Sequence, residues 1–128
     1  MITDIKDLSV CITDLGMACR LSDETELKIK CGTPGYVAPE ILRQRQATTK
    51  ADVFSLGILL FNMLTGLSLF RGVTALEILT QNKYANPANM INIMTKHNLK
   101  SVSPEGIALL IQMTSPDPHF RPSAEQCL

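Results

Sequence analysis

The sequence predicts a mainly α-helical domain that opens with a short β-hairpin. Three observations predict it. Val53 to Leu64 (VFSLGILLFNML) is apolar on nearly every helical face, the pattern of a buried core helix. Capping signatures led by Ser or Thr stand at Thr49, Ser103 and Ser123, where helices are expected to start. Strand-like sequence is confined to the beginning, where Ser9 to Thr13 (SVCIT) is short, β-branched and apolar.

Composition sets the frame for these elements. A chain of 128 residues fits one domain, and 45% hydrophobic against 19% charged residues is the balance of a globular protein. Mean hydropathy is +0.13, and apolar residues run through the chain without a long polar gap, which excludes disorder over most of it. Twelve Lys and Arg cancel twelve Asp and Glu, which argues against nucleic acid or an anionic membrane surface as the main partner. With no Trp and 5% aromatics, the core is expected to be built from Leu, Ile, Val and Met, including Met17, Met63, Met90, Met94 and Met113. Cys11, Cys19, Cys31 and Cys127 form no C-x-x-C pair, which argues against a disulfide scaffold or a zinc ribbon. Met1 to Asp4 shows no basic stretch followed by an apolar one, so no secretory leader is expected and a reducing, cytoplasmic or nuclear setting is.

Along the chain, Met1 to Thr3 reads as a partner for the first strand, with Asp4-Ile5-Lys6-Asp7 as the turn between them. Asp14 to Cys31 mixes charged and scattered apolar residues and reads as a long loop. Gly32-Thr33-Pro34-Gly35 is a turn cluster in which Pro34 pre-sets the first corner and Gly35 takes positive φ at the second. Pro39 suits the first position of a short helix through Glu40, Ile41 and Leu42. Thr49-Lys50-Ala51-Asp52 then predicts a capped start for the central helix. A membrane span fails there on length, because the apolar run is bounded by Asp52 and Thr65-Gly66. Thr74 to Gln81 carries a modest helical signal, and Asn82 to Ser103 reads as a polar connector. Ser103-Pro104-Glu105 opens a further helix that Ser115-Pro116-Asp117-Pro118 stops. Ser123-Ala124-Glu125-Gln126 is a capping box for a last one. His97 and His119 stand isolated and are read as non-catalytic, and Asp4, Asp7 and Asp14 do not match a calcium loop.

The order of four blocks is more specific than any of them alone. Asp14-Leu15-Gly16 follows a short strand; Cys31 to Glu40 reads CGTPGYVAPE; Asp52 to Gly57 reads DVFSLG; Asp117-Pro118 precedes Arg121-Pro122. In this order and spacing the sequence resembles the C-terminal lobe of a eukaryotic-type protein kinase of the Ser/Thr class, over essentially its whole length. The resemblance implies a partial kinase domain over residues 1–128, the helical lobe of an α+β fold, without the N-terminal lobe or the catalytic loop.

The resemblance also implies roles. Asp14 matches the D-F-G Asp, which binds the Mg²⁺ bridging the ATP phosphates, with Leu15 in place of Phe. Gly32, Thr33, Pro34 and Gly35 match the substrate-binding loop, and Thr33 marks the Ser/Thr class. Glu40 and Arg121 match a buried ion pair tying that loop to the helical core, and Asp52 matches a helix residue that holds the catalytic-loop backbone. Ile29 stands where many relatives carry a phosphorylated Thr. Ser22 and Thr25 remain as candidate phosphosites, although Asp23, Glu24 and Glu26 would meet the phosphate with like charge.

Phosphoryl transfer also requires a Gly-rich loop, a Lys with its Glu partner, and a catalytic Asp and Asn, and the sequence contains none of their motifs. The catalytic Asp is expected upstream of Met1. Two functions follow as expectations: the parent domain is an ATP- and Mg²⁺-dependent enzyme acting on protein Ser/Thr, or the chain is a non-catalytic kinase-like module that binds a protein. In either case the apolar central helix is expected to need a partner surface.

Overall fold

The computed structural model describes residues 2–4, 9–29, 31–44, 47–96, 99 and 102–128. Strand β1 (Ile2–Asp4) pairs antiparallel with β2 (Ser9–Val10), with Ile2 opposite Val10 and Asp4 opposite Ser9. The turn expected at Asp4 to Asp7 falls largely on residues 5–8, outside the described residues. The second strand stops at Val10 rather than Thr13. Val10 and Ile12 are exposed, and a two-stranded ribbon gains little from pairing alone. The segment from Asp14 to Cys31 is irregular, apart from single 3₁₀ turns at Leu15–Met17 and Glu26–Lys28.

Five α-helices follow among the described residues: α1 (Pro39–Leu42), α2 (Lys50–Thr65), α3 (Ala75–Lys83), α4 (Pro87–Lys96) and α5 (Pro104–Met113). Pro39 takes the first position of α1, where its missing N–H is not needed. Ser103 caps α5 by accepting from Gly106 N–H, and Thr74 caps α3 by accepting from Glu77 N–H. The predicted cap of α2 differs. Thr49 already has helical backbone angles and makes no side-chain cap bond; Thr48 Oγ1 accepts from Lys50 N–H at 3.3 Å instead. A residue wound into the first turn no longer points its hydroxyl at the free N–H groups, so the preceding Thr takes the task. At the other end Gly66 adopts φ 68° and returns its N–H to Asn62 O.

Helix α4 corrects the expectation of a polar connector between Asn82 and Ser103. Asn86 Oδ1 accepts from Ala88 N–H at 2.9 Å, Pro87 opens the helix, and Met90 is buried in the core. At the C-terminus Ser123 Oγ accepts from Gln126 N–H at 3.2 Å while Gln126 Oε1 accepts from Ser123 N–H at 2.9 Å, the reciprocal capping box, on a 3₁₀ turn at Glu125–Cys127.

Helix α2 is the centre of the lobe. Val53, Phe54, Gly57, Ile58 and Phe61 form its buried face, and Phe54, Ile58 and Phe61 pack with Leu69, Phe70, Met90, Leu99 and Leu110. The Phe54 and Phe70 rings stack with centroids 6.5 Å apart. The opposite face is not buried as its all-round apolar sequence predicts: Leu56, Leu59 and Leu64 are exposed, and Met63 is 75% exposed. Met17 is likewise on the surface, whereas Met90 and Met113 are in the core. No helix among the described residues is long and apolar enough to cross a membrane.

Helices α2 and α5 approach closely because position 57 has no side chain. A Cβ on Gly57 would lie 2.9 Å from Met113 Cβ and 2.9 Å from Thr114 Cγ2. Gly57→Ala is therefore expected to cost about 1–3 kcal/mol by overpacking, more than the roughly 1 kcal/mol that Ala gains over Gly inside a helix. A lowered denaturant midpoint checks it; an unchanged or raised midpoint would show that the helices separate without cost.

Candidate functional site

The loop from Gly32 to Ala38 is held on every side. Gly32 and Gly35 have φ of 126° and 93°, and Thr33 O accepts from Tyr36 N–H at 3.0 Å and Val37 N–H at 3.2 Å. The reversal expected around Pro34 and Gly35 is thus present, with positive φ where Gly35 supplies it. Helix α2 holds the loop through Ser55, whose hydroxyl donates to Tyr36 O at 2.9 Å, and through Asn62, whose amide lies 2.8 Å from the Tyr36 hydroxyl. Helix α3 holds it through Asn82. The Asn82 Oδ1 accepts from Gly35 N–H at 2.9 Å, and its Nδ2 donates to Val37 O at 3.0 Å.

The loop ends in α1, and α1 is anchored by charge. Arg121 donates through both Nη atoms to both oxygens of Glu40, at 2.7 and 2.6 Å, and both side chains are buried. Arg121 Nε donates to Ser115 O at 2.7 Å, and Nη1 also reaches Lys50 O at 2.8 Å. The guanidinium lies 5.0 Å from the centre of the Phe54 ring. Lys50 Nζ completes the arrangement by donating to Arg121 O at 2.6 Å. A buried pair is stable only when its remaining donors are satisfied, and here the planar fork of Arg finds a partner in each direction. Glu40 and Arg121 stand 81 residues apart in the sequence, and the fold brings them into bidentate contact.

The other predicted residues are not brought together. Asp14 sits on the surface in left-handed backbone, φ 60° and ψ 68°, just before the Leu15–Met17 turn. Leu15 is exposed, as are Thr33 and Asp52. Ser22 and Thr25 are exposed on the loop, where Asp23 Oδ1 accepts from the N–H groups of Thr25 and Glu26 at 3.1 and 3.0 Å. Cys19, on the same loop, has its thiol pushed above its ordinary value by desolvation first and then by the Glu26 and Asp23 carboxylates. Among the described residues no group of three or more His, Cys, Asp or Glu side chains is arranged to hold a metal ion. The exposed Asp14 carboxylate is a hard oxygen donor of the type Mg²⁺ takes. His119 is exposed, and His97 lies outside the described residues.

Asn82 and Ser55 are the site residues that sequence reasoning missed. Asn82 fell within the polar connector and Ser55 within an apolar run. Both bond to backbone groups of a distant segment, and local sequence carries no mark of that.

A loop carrying two positive-φ glycines, pinned to two helices and closed by a buried Glu–Arg pair, defines a helical lobe built to present one rigid loop at its surface. The comparisons give that class its family. The sequence matches the protein kinase domain (described as "Protein kinase domain") over residues 1–128. It is 42% identical over 110 residues to "Probable serine/threonine-protein kinase 2" of Plasmodium falciparum (isolate K1 / Thailand), covering 85% of this chain and 21% of that protein. It is 34% identical over 117 residues to rat "Myosin light chain kinase 2, skeletal/cardiac muscle", covering 91% of this chain and 18% of that protein. It is also 30% identical over 126 residues to mouse "Inactive serine/threonine-protein kinase PLK5", covering 96% of this chain and 19% of that protein. The chain belongs to the protein kinase family, and its fold is that of a C-terminal lobe. It spans about a fifth of the length of these relatives.

Proposed function

We propose that residues 1–128 are the substrate-binding part of a Ser/Thr protein kinase domain that uses ATP and Mg²⁺. The observation that supports this most is the Gly32–Glu40 segment, whose backbone is fixed by Asn82, Ser55 and the buried Glu40–Arg121 pair. A loop held this way presents a fixed surface to a protein chain, and phosphoryl transfer depends above all on such positioning. In this reading Gly32, Thr33, Pro34 and Gly35 receive the substrate, and Thr33 faces the hydroxyl-bearing residue. Asp14 supplies a carboxylate to the nucleotide-bound metal, which neutralises charge on the phosphates. Asp52 orders the catalytic-loop backbone. The catalytic Asp and Asn, the Lys and the Gly-rich loop lie outside residues 1–128, so the segment by itself does not transfer phosphate. The proposed setting is the cytoplasm, in keeping with the free thiols of Cys19, Cys31 and Cys127.

A second reading is a non-catalytic module that binds protein. The similarity to a mouse protein named as inactive favours it, and so does the exposed apolar face of α2, which on this proposal a partner segment covers.

The test is phosphate transfer from Mg-ATP by the full-length gene product and by residues 1–128 alone. The full-length protein is expected to turn over, and Asp14→Ala is expected to lower the rate about 100-fold or more. The isolated segment is expected to give none. Turnover by the segment that Asp14→Ala abolishes would contradict the proposed division, and an inactive full-length protein would favour the binding module.

A further inference from the structure

Asn82 is fully buried at the end of α3, yet both of its partners belong to one loop. Its Oδ1 takes the Gly35 N–H and its Nδ2 gives to the Val37 carbonyl, so it clamps the two ends of the Gly35–Val37 tripeptide. The orientation of the amide is dictated, because a backbone N–H can only donate and a carbonyl can only accept. Arg43 Nε also donates to Lys83 O at 2.6 Å at the same helix end. Ile78, a turn earlier in α3, lies near Gly35, where a Cβ would stand 3.6 Å from its Cγ2. Helix α3 thus holds the loop alongside Ser55 of α2.

We propose that Asn82 is a positioning residue for the substrate loop, fixing the Gly35–Val37 backbone in the conformation that receives a protein substrate. This rests on the reading of Gly32–Gly35 as the substrate loop. The physical case is local. An apolar side chain at position 82 would leave a partly buried N–H and a buried C=O without partners, and the loop would have to move to hydrate them. The two groups are loop backbone, and no hydrogen bond within α2 depends on either of them, so the helix itself is expected to keep its protection.

The test uses the full-length gene product with Asn82→Leu and Asn82→Asp, read by residue-resolved amide exchange and by steady-state kinetics. Asn82→Leu has similar volume and no polar atoms; Asn82→Asp keeps the acceptor for Gly35. With Asn82→Leu, Gly35 exchange is expected to speed up at least 10-fold while α2 amides stay within twofold. KM for a Ser-containing peptide, chosen from a degenerate pool with the wild-type protein, is expected to rise about 10-fold, with kcat and KM for ATP within twofold. Asn82→Asp keeps the Gly35 acceptor but has no donor for the Val37 carbonyl, so its Gly35 exchange and peptide KM are expected to fall between the wild-type and Leu values. Unchanged Gly35 exchange in the Leu variant would overturn the proposal. So would equal loss of protection in α2, or parallel changes in kcat and both KM values, since either marks a general structural role. If the wild-type protein transfers no phosphate, the functional reading has failed, and Gly35 exchange alone then decides whether Asn82 sets the loop.

Discussion

Arg121→Met is expected to destabilise the lobe by about 3–5 kcal/mol, because it strands the Glu40 carboxyl in a buried site. That is a large part of the roughly 5–15 kcal/mol that stabilises a typical domain. Arg121 also satisfies Ser115 O and Lys50 O, so two carbonyls lose a donor at the same time. The pair is not simply worth its Coulomb attraction, and a second variant separates the contributions. Glu40→Leu combined with Arg121→Met removes the stranded charge, and replacing a buried pair by apolar groups is often close to neutral. The double variant is therefore expected to recover part of the loss but not all of it, since each orphaned carbonyl costs about 1–3 kcal/mol. Thermal or urea midpoints of the four-member cycle check this. A double variant no more stable than Arg121→Met would show that the charge is not what the single variant strands. Arg121→Lys is expected to rescue poorly, because an ammonium cannot match the two-pronged contact with both Glu40 oxygens and still reach both carbonyls.

Phe54→Ala is the second large effect, at about 3–5 kcal/mol. Its ring is fully buried, stacks on Phe70 and lies beneath the Arg121 guanidinium. Truncation opens a cavity in the core cluster and also removes the aromatic face from the cation. Phe54→Leu is expected to restore roughly half of the loss by refilling volume without restoring the cation contact. If Phe54→Ala and Arg121→Met are combined, their effects are expected to be non-additive, because the residues touch. Strict additivity of the two midpoints' free energies would show that the ring and the guanidinium act independently.

Much of the fold and part of the site can be read directly from residues 31–66 and 103–126. Gly-Thr-Pro-Gly predicts a chain reversal because the residue types restrict φ, and the structure has positive φ at Gly35. The Ser103 cap and the Ser123–Gln126 box are local, so their hydrogen bonds are legible at a separation of three residues. The capped start at Thr49 was only nearly right: Thr48 and Thr49 both carry hydroxyls, and backbone geometry rather than residue type decides which one caps. Helix α4 was hidden by composition. Asn86-Pro87-Ala88-Asn89 reads as a linker, although Asn followed by Pro is equally a cap followed by a first helical residue. Periodicity marks α2 as apolar on every face and does not say what covers each one; the need for a partner surface followed from the resemblance, and Leu56, Leu59, Met63 and Leu64 are exposed in keeping with it. Asn82 was illegible for a different reason. Its partners lie 45 and 47 residues away, and no local pattern distinguishes it from a solvated Asn.

The family's reading of Ile29 bears on control of the site. With an apolar residue there and three carboxylates around Ser22 and Thr25, the loop between Asp14 and Cys31 offers poor ground for an activating phosphate. The Gly32–Ala38 loop is held by hydrogen bonds to α2 and α3 and by the buried Glu40–Arg121 pair, none of which involves Ser22 or Thr25.

In the proposed function this lobe presents a loop for Ser/Thr-bearing protein substrates. The most direct measurement is acceptor mapping: the full-length gene product with Mg-ATP and an equimolar degenerate peptide pool containing Ser, Thr or Tyr at a fixed position, read by mass spectrometry. Phosphate on Ser and Thr peptides and none on Tyr is the result predicted. Phosphate on Tyr peptides, or on none of the three, would contradict it.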